Sequence, residues 1–365
     1  MKLIFCGNLH CGGGVQVATS FIQEIVNIDK LDNFDLIIST TVSNELKKLS
    51  VDLSSFNHVY IMDFYGFRKN NKFVRKKEKY STCFVVFGPI YYNLNSKKYI
   101  VGFAQPWIAY NKNDVYKKIN FIEKAKNKLA FYIKDIIFKK YKELIVEHQH
   151  VKNALIKKRY KSKIHVVSNT YSSIFDQESK WDIVHPPEKM DKNKITLGYI
   201  GKAYLHKNLE ILKDANKILI NEYNVNVNFL FTLDNKDMNK LKFTEEKNFF
   251  SIGTISLNQC PNFYKLIDAL IFPTMLECFS ASPIEAMKMK IPILASNYIF
   301  MKEICKDAAI YFDATSSEDI AKKIIYFIEN REKIILDHKE SAKKILASIP
   351  TSKERAVHYL KIINS

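Results

Sequence analysis

FPTMLECFSASPIEAM, residues 272–287, is the stretch on which the fold turns. It continues the apolar run Ala269-Leu270-Ile271-Phe272, which is short, aliphatic and aromatic, the signature of a buried strand. Three small residues follow at Ser280, Ala281 and Ser282, and the pattern then predicts a helix over Ser282–Lys288. Pro283 suits the first helical turn, where no amide donor is needed. A strand, a small-residue loop and a helix leave free amides and the positive end of the helix dipole facing an anion. Glu277 on the loop and Glu285 on the helix stand eight residues apart, and carboxylates accept hydrogen bonds from sugar hydroxyls. Alone, such a pair is usually two surface glutamates beside a capping serine, so the neighbouring segments decide.

Moving outward, Gly198-Tyr199-Ile200-Gly201-Lys202 closes another apolar strand, and His206-Lys207-Asn208 opens the next helix. Lys202 and Lys207 are thus placed to clamp a diphosphate and neutralise a departing phosphate. The second half reads as strands at 195–200, 226–232, 249–252, 269–272 and 291–295, with helices at 208–222, 258–266, 282–288 and 318–330. In the first half, strands are expected at 3–6, 34–39, 58–62, 84–87, 144–147 and 164–167, with a helix over 15–28 after Gly12-Gly13-Gly14. Short buried strands alternating with helices imply parallel sheets covered on both faces, hence an α/β fold. The polar stretch 172–193, with Pro186-Pro187, reads as a linker. The expected division is 1–170, a linker 171–193 and 194–350, with a C-terminal helix near 351–365 packing back onto the first domain.

Composition narrows the class. The 365 residues are 47% hydrophobic, enough for two cores, and no run is long and apolar enough for a transmembrane helix. Met1–Cys6 fits a first strand better than a signal peptide, having no long apolar region or cleavage site. The six cysteines form no CxxC pair and no zinc spacing, which points to reduced thiols in a cytoplasmic protein. His148 and His150 beside Glu147 lack an evident third ligand, and no D-x-D occurs, so no metal is expected. The 56 basic against 38 acidic residues, net +18, imply an anionic partner or a general lysine bias. No helix-turn-helix, zinc-finger or RNP pattern supports nucleic acid. Two basic stretches stand out: Arg68–Lys79, and Asn111–Lys142 with Ile119, Ile122, Ala125, Leu129, Ile133, Ile136 and Ile137 at helical spacing. A basic amphipathic helix suits an anionic membrane surface, while an ordinary surface helix would turn that apolar face to its sheet.

Taken together, these segments resemble the retaining glycosyltransferases of family 4. GNLHCGGG (7–14) is similar to the family's glycine-rich first loop, and GYIGKAYLHKN (198–208) to its phosphate motif. FPTMLECFSASPIEAM (272–287) is similar to its paired-glutamate signature, and IPILAS (291–296) and AAIYFD (308–313) to the strands that follow. The resemblance is good over 195–330 and weak in the first half. It implies the GT-B fold, two Rossmann-like domains with parallel sheets facing across a cleft. It implies a nucleotide-diphosphate sugar, of UDP or GDP type, as donor substrate, with no further cofactor and no metal. By the same resemblance Glu277 holds the donor sugar, the amides of Phe279, Ser280 and Ala281 contact sugar and phosphates, and Glu285 takes the ribose hydroxyls. Lys202 and Lys207 hold the diphosphate, and Gly13 and Gly14 let the first loop approach the donor. The family usually carries arginine where this chain has Lys202, which replaces a planar fork by a point charge.

The acceptor side is less defined. VVFGPIYYN (85–93) and GFAQPWIAYN (102–111) offer Tyr91, Tyr92, Trp107 and Tyr110 as platforms for sugar rings, or pack on one another as loops. No histidine lies between His58 and His148, where many family members place one; Gln105 stands in that region but is no base, and His10 is the alternative. The expected activity is transfer of a hexosyl group to a glycan or polyprenyl-diphosphate-linked acceptor in polysaccharide or O-antigen assembly, by a protein peripheral to the inner face of the cytoplasmic membrane. A nucleotide-sugar epimerase and an inactive membrane-recruitment subunit are the competing readings.

Overall fold

The computed structural model describes residues 1–28, 30–66 and 80–365. The basic stretch Arg68–Lys79 lies outside the described residues. The chain divides into two compact units. Unit 1 comprises 1–112, 119–170 and 350–365; unit 2 comprises 113–118 and 171–349.

Unit 1 carries a seven-stranded parallel sheet of β1 (Lys2–Cys6), β2 (Phe34–Ile38), β3 (His58–Ile61), β4 (Tyr80–Val85), β5 (Ser96–Phe103), β6 (Glu143–Val146) and β7 (Lys163–Val166). The spatial order is β3-β2-β1-β4-β5-β6-β7, with Leu3 opposite Asp35 on one side and Cys83 on the other. Its helices are α1 (Gly13–Ile25), α2 (Thr40–Lys48), α3 (Pro106–Ala109), α4 (Phe121–Phe138) and α5 (Gln149–Lys157). β5 is a strand that the sequence pattern hides: it opens on the polar Ser96-Lys97-Lys98 and contains Gly102, both atypical of a buried strand. A side chain at Gly102 would collide with the backbone oxygen of Val86, 1.8 Å from an ideal Cβ, so close strand approach requires glycine there.

Unit 2 carries a six-stranded parallel sheet of β8 (Thr196–Tyr199), β9 (Asn228–Phe231), β10 (Phe249–Ser251), β11 (Ala269–Phe272), β12 (Ile293–Ser296) and β13 (Ala309–Phe312), in the order β10-β9-β8-β11-β12-β13. β8, β9, β11 and β12 are buried along their whole length, as parallel strands covered on both faces must be. The helices are α6 (Ile211–Asn221), α7 (Asn235–Lys240), α8 (Cys260–Tyr264), α9 (Ala281–Lys288), α10 (Ile299–Cys305), α11 (Ser317–Glu329) and α12 (Arg331–Ser348). α6 starts later than expected, because Asn208 adopts a left-handed conformation (φ 59°) that ends a short 3-10 turn over Leu205–Lys207. The polar stretch after residue 170 forms 3-10 turns at Ser173–Asp176 and Glu178–Lys180, with Phe175 packed 6.1 Å from the Tyr264 ring.

Two segments cross the simple sequence division. Residues 113–118 group with unit 2, where Val115 is buried and the Tyr298 hydroxyl donates to Asp114 Oδ2 at 2.6 Å. The final helix, α13 (Ser352–Asn364), groups with unit 1. It opens with a Thr351/Glu354 capping box and presses Tyr359 against Phe21 at 5.3 Å between ring centres. Its fully buried Arg355 donates to Ser20 Oγ at 2.8 Å and to Asn169 Oδ1. Among the described residues, no helix is long and apolar enough to cross a membrane.

Candidate functional site

In an open parallel sheet, ligands bind beyond the carboxyl ends of the strands where the order reverses. In unit 2 that reversal lies between β8 and β11. The loop after β8 carries Lys202 and Lys207; the loop after β11 carries Glu277 and leads into α9. The segments singled out in the sequence therefore emerge side by side at the switch point of one sheet.

Their contacts are direct. Lys207 Nζ donates to Glu277 Oε1, and both side chains are largely sheltered, at 14% and 10% exposure. Lys207 also lies over the Phe272 ring, 4.8 Å from its centre, a cation–π contact that fixes the ammonium from below. Thr274, fully buried, donates its hydroxyl to Glu277 Oε1 at 2.9 Å. The His206 carbonyl accepts from the Met275 amide at 2.7 Å, stitching the two loops together. Asn208 anchors the same loop through Nδ2 to the Ala314 carbonyl at 2.7 Å. Burial holds the His206 imidazole down to about 4, so it is neutral at physiological pH; it stacks on Tyr204 at 5.6 Å. Gly201 has φ +139°, a backbone state that L side chains rarely adopt, and donates its amide to Thr232 Oγ1 at 3.0 Å. The Lys202 carbonyl accepts from the buried Tyr199 hydroxyl at 3.0 Å, which sets the direction of the chain after the glycine.

Ser280 is the N-cap of α9 in an extended conformation, and its side chain makes no capping bond. The first amides of the helix, at Ala281 and Ser282, thus lack both an intrahelical acceptor and a cap, while Pro283 has no donor to satisfy. Glu285 sits one turn further in, buried on α9, where it accepts from the Tyr264 hydroxyl at 2.9 Å. Burial pushes its carboxyl up to about 7, against which the Tyr264 hydrogen bond acts. Thr274, Tyr264, Phe272 and His206 were not singled out from the sequence. A buried threonine three residues before Glu277 is the one local signal among them.

Of the expected residues of unit 1, His10, Gly13 and Gly14 follow β1, at that sheet's reversal between β1 and β4, whereas Gln105 and Trp107 follow β5. Gly12 (φ 68°) caps α1, Gly13 begins it, and a Cβ at Gly13 would meet nothing within 4 Å. Gly14 is tighter, with Leu9 at 3.3 Å from such a Cβ. His10 stacks on Tyr65 at 4.1 Å, pairs with Asp63 at 3.5 Å and shares a hydrogen bond with the Phe64 carbonyl at 2.9 Å. Gln105 precedes α3 as its N-cap residue. The aromatic platforms are engaged internally: Trp107 stacks on Phe131 at 5.5 Å, Tyr92 on Phe64 at 4.8 Å, and Tyr110 bonds to His150. Burial lowers the His150 imidazole to about 3. Among the described residues, no group of three or more His, Cys, Asp or Glu is placed to hold a metal ion.

Comparison with known proteins agrees with this placement. Residues 182–344 match the family model for glycosyl transferases group 1. An uncharacterised 41.2 kDa protein of the cps region of Klebsiella pneumoniae is 23% identical over 277 residues, 74% of this chain and 73% of that one. The O-antigen chain mannosyltransferase RfbU of Salmonella typhimurium is 24% identical over 151 residues, 40% of this chain and 41% of its own. Among solved structures, Anabaena Alr3699/HepE in complex with UDP and glucose superposes with a TM-score of 0.68 at 12% identity, covering 100% of this chain and 99% of the other. The group 1 match and the shared two-sheet architecture support a glycosyltransferase of the GT-B fold.

Proposed function

We propose that the chain is a retaining hexosyltransferase of glycosyltransferase family 4 that moves a sugar from a nucleotide-diphosphate donor to a glycan or polyprenyl-linked acceptor of a cell-surface polysaccharide. The observation that carries the reading is the Lys207–Glu277 pair, held by Thr274 and Phe272 at the sheet's switch point beside the open amides of α9. An ammonium and free helix amides suit a diphosphate, and a fixed carboxylate suits sugar hydroxyls. The cps-region and O-antigen relatives favour a polysaccharide acceptor.

In this reading the diphosphate lies on Lys207, Lys202 and the amides of Phe279, Ser280 and Ala281, and the ribose on Glu285. Glu277 holds the donor sugar once the diphosphate takes over its lysine. The acceptor hydroxyl attacks the anomeric carbon from the face that the diphosphate leaves. The departing phosphate oxygen takes the acceptor proton, so positioning and charge stabilisation supply the catalysis. Gly13, Gly14, His10, Gln105 and Trp107 are assigned to the acceptor and donor-phosphate side on the family resemblance.

The test is a thermal-shift series with UDP, GDP and their sugars, followed by turnover with the donor that stabilises. Glu277→Ala and Lys207→Ala are expected to lose transfer. Full turnover in Glu277→Ala, or no shift with any nucleotide diphosphate, overturns the reading. A new nucleotide sugar formed without any acceptor would mark an epimerase instead.

A further inference from the structure

Helix α4 is turned inside out for a helix in water. A surface helix normally sends its apolar stripe to the core and its charges to solvent. Here Phe121, Ile122, Leu129 and Tyr132 are 84%, 65%, 62% and 62% exposed, and Ile133 and Ile136 are exposed beside them. At about 100° per residue, Ile122, Ala125, Leu129, Tyr132, Ile133 and Ile136 fall within one third of the helix circumference, in a stripe about 21 Å long. The opposite side, toward unit 1, holds buried Asp135 and Phe138 with half-buried Lys124, Asn127 and Lys134. Burial lowers the Lys134 ammonium, which lies 4.8 Å over the Phe131 ring. So polar residues share the withdrawn face with Phe131 and Phe138, and the expected apolar stripe is the one left out. Contiguous exposed apolar patches rimmed by polar residues mark interaction surfaces.

The margins of the stripe are basic. Lys126 flanks it on one side, Lys128 and Lys139 on the other, and Lys140 follows just past the end of the helix. A second cluster, Lys157-Lys158-Arg159-Tyr160-Lys161, is joined to the C-terminal half of α4. The Tyr160 hydroxyl donates to Asp135 Oδ1 at 2.5 Å, and Lys139 lies 5.5 Å over the Tyr160 ring while pairing with Asp135 at 2.8 Å. Ile156, in the same segment, is 54% exposed.

We infer that the outer face of α4, with the 157–161 cluster, is a docking surface for an anionic lipid bilayer. The apolar stripe enters the headgroup–acyl boundary, Tyr132 sits at its level, and the flanking lysines meet lipid phosphates. Charge selects this occupant over a second copy of the chain, because two such faces would oppose lysine to lysine. The inference stands on α4 alone and does not depend on the donor-site reading.

The test is flotation of the full chain with vesicles of phosphatidylcholine alone, or containing one third phosphatidylglycerol, at low and high salt. Wild type is expected to float with the anionic vesicles and to be released by salt. Leu129→Gln/Ile133→Gln, which keeps the charge, is expected to weaken partitioning at least about tenfold, as is Lys126→Gln/Lys140→Gln. Melting temperatures close to wild type establish that the variants, altered only at exposed positions, remain folded. No binding to anionic vesicles, or full binding by the Leu129→Gln/Ile133→Gln protein, overturns the inference. So does a stable dimer in solution that this variant splits, since the stripe would then serve a second copy.

Discussion

Replacing Glu285 by glutamine isolates the cost of a buried carboxylate at the candidate nucleotide site. Burial raises its folded pKa from an ordinary 4.5 to about 7, while the unfolded chain keeps the ordinary value. A raised folded pKa means that stability is fully present below pH 4.5 and is lost as pH rises to 7, beyond which the loss is constant. At 1.36 kcal/mol per unit, a displacement of about 2.5 units corresponds to about 3 kcal/mol of unit 2 stability. Glutamine can still accept from Tyr264, and its buried amide adds only a pH-independent cost, so the diagnostic quantity is the slope with pH. The chain's two tryptophans are Trp107 in unit 1 and Trp181 in unit 2, so a Trp107→Phe background makes fluorescence report on unit 2 alone. Denaturant unfolding at a series of pH values from 4.5 to 8 should show the wild-type-minus-variant difference changing by about 3 kcal/mol. Under the proposed role, ribose hydroxyls donating to Glu285 favour its ionised form. Nucleotide binding near neutral pH should therefore release a proton in wild type that Glu285→Gln does not release. Identical pH slopes for the two proteins would refute the argument.

Lys207→Met leaves the sheltered Glu277 carboxylate without its ammonium, with the Thr274 hydroxyl still donating to it; expect a loss of roughly 3 kcal/mol in unfolding free energy. Transfer should fall by about 10²–10³-fold in the same variant, read as initial rate with the stabilising donor. Arg355→Met removes a fully buried guanidinium from Ser20 and Asn169 and should lower unit 1 stability by about 3 kcal/mol, seen through Trp107 fluorescence. Gly102→Ala drives a methyl into the Val86 carbonyl; soluble yield and melting temperature should both drop, with a cost of about 3 kcal/mol or more.

Much of the candidate site in unit 2 was legible from local pattern. β11 is four consecutive apolar residues, α9 is announced by small residues and Pro283, and Gly201 marks a turn that only a permissive backbone makes. These are short-range signals, because steric and hydrogen-bonding limits act within a few residues. β5 is hidden in the pattern because Lys97 and Lys98 lie near its start and Gly102 serves close approach of a neighbouring chain segment that sequence order does not reveal. The apolar rhythm of 111–142 identified a helix with two unlike faces but not which face would be covered. Periodicity is a property of one element, and burial is a relation between two.

What the chain's order of residues determined by itself was the alternation of buried strands and helices, the small-residue entrance of α9 and the identity of the ionisable groups near it. Only tertiary structure decided that Lys207 meets Glu277 and that Tyr264 supports Glu285, since these pairs are 70 and 21 residues apart and join through parallel pairing of β8 with β11 and the packing around α8 and α9. It also decided that α4 faces its apolar stripe outward and that residues 113–118 join unit 2, which sequence position would not select. Contacts between distant residues depend on how whole elements pack, and that is settled by the sum of buried surface across the fold rather than by any local pattern.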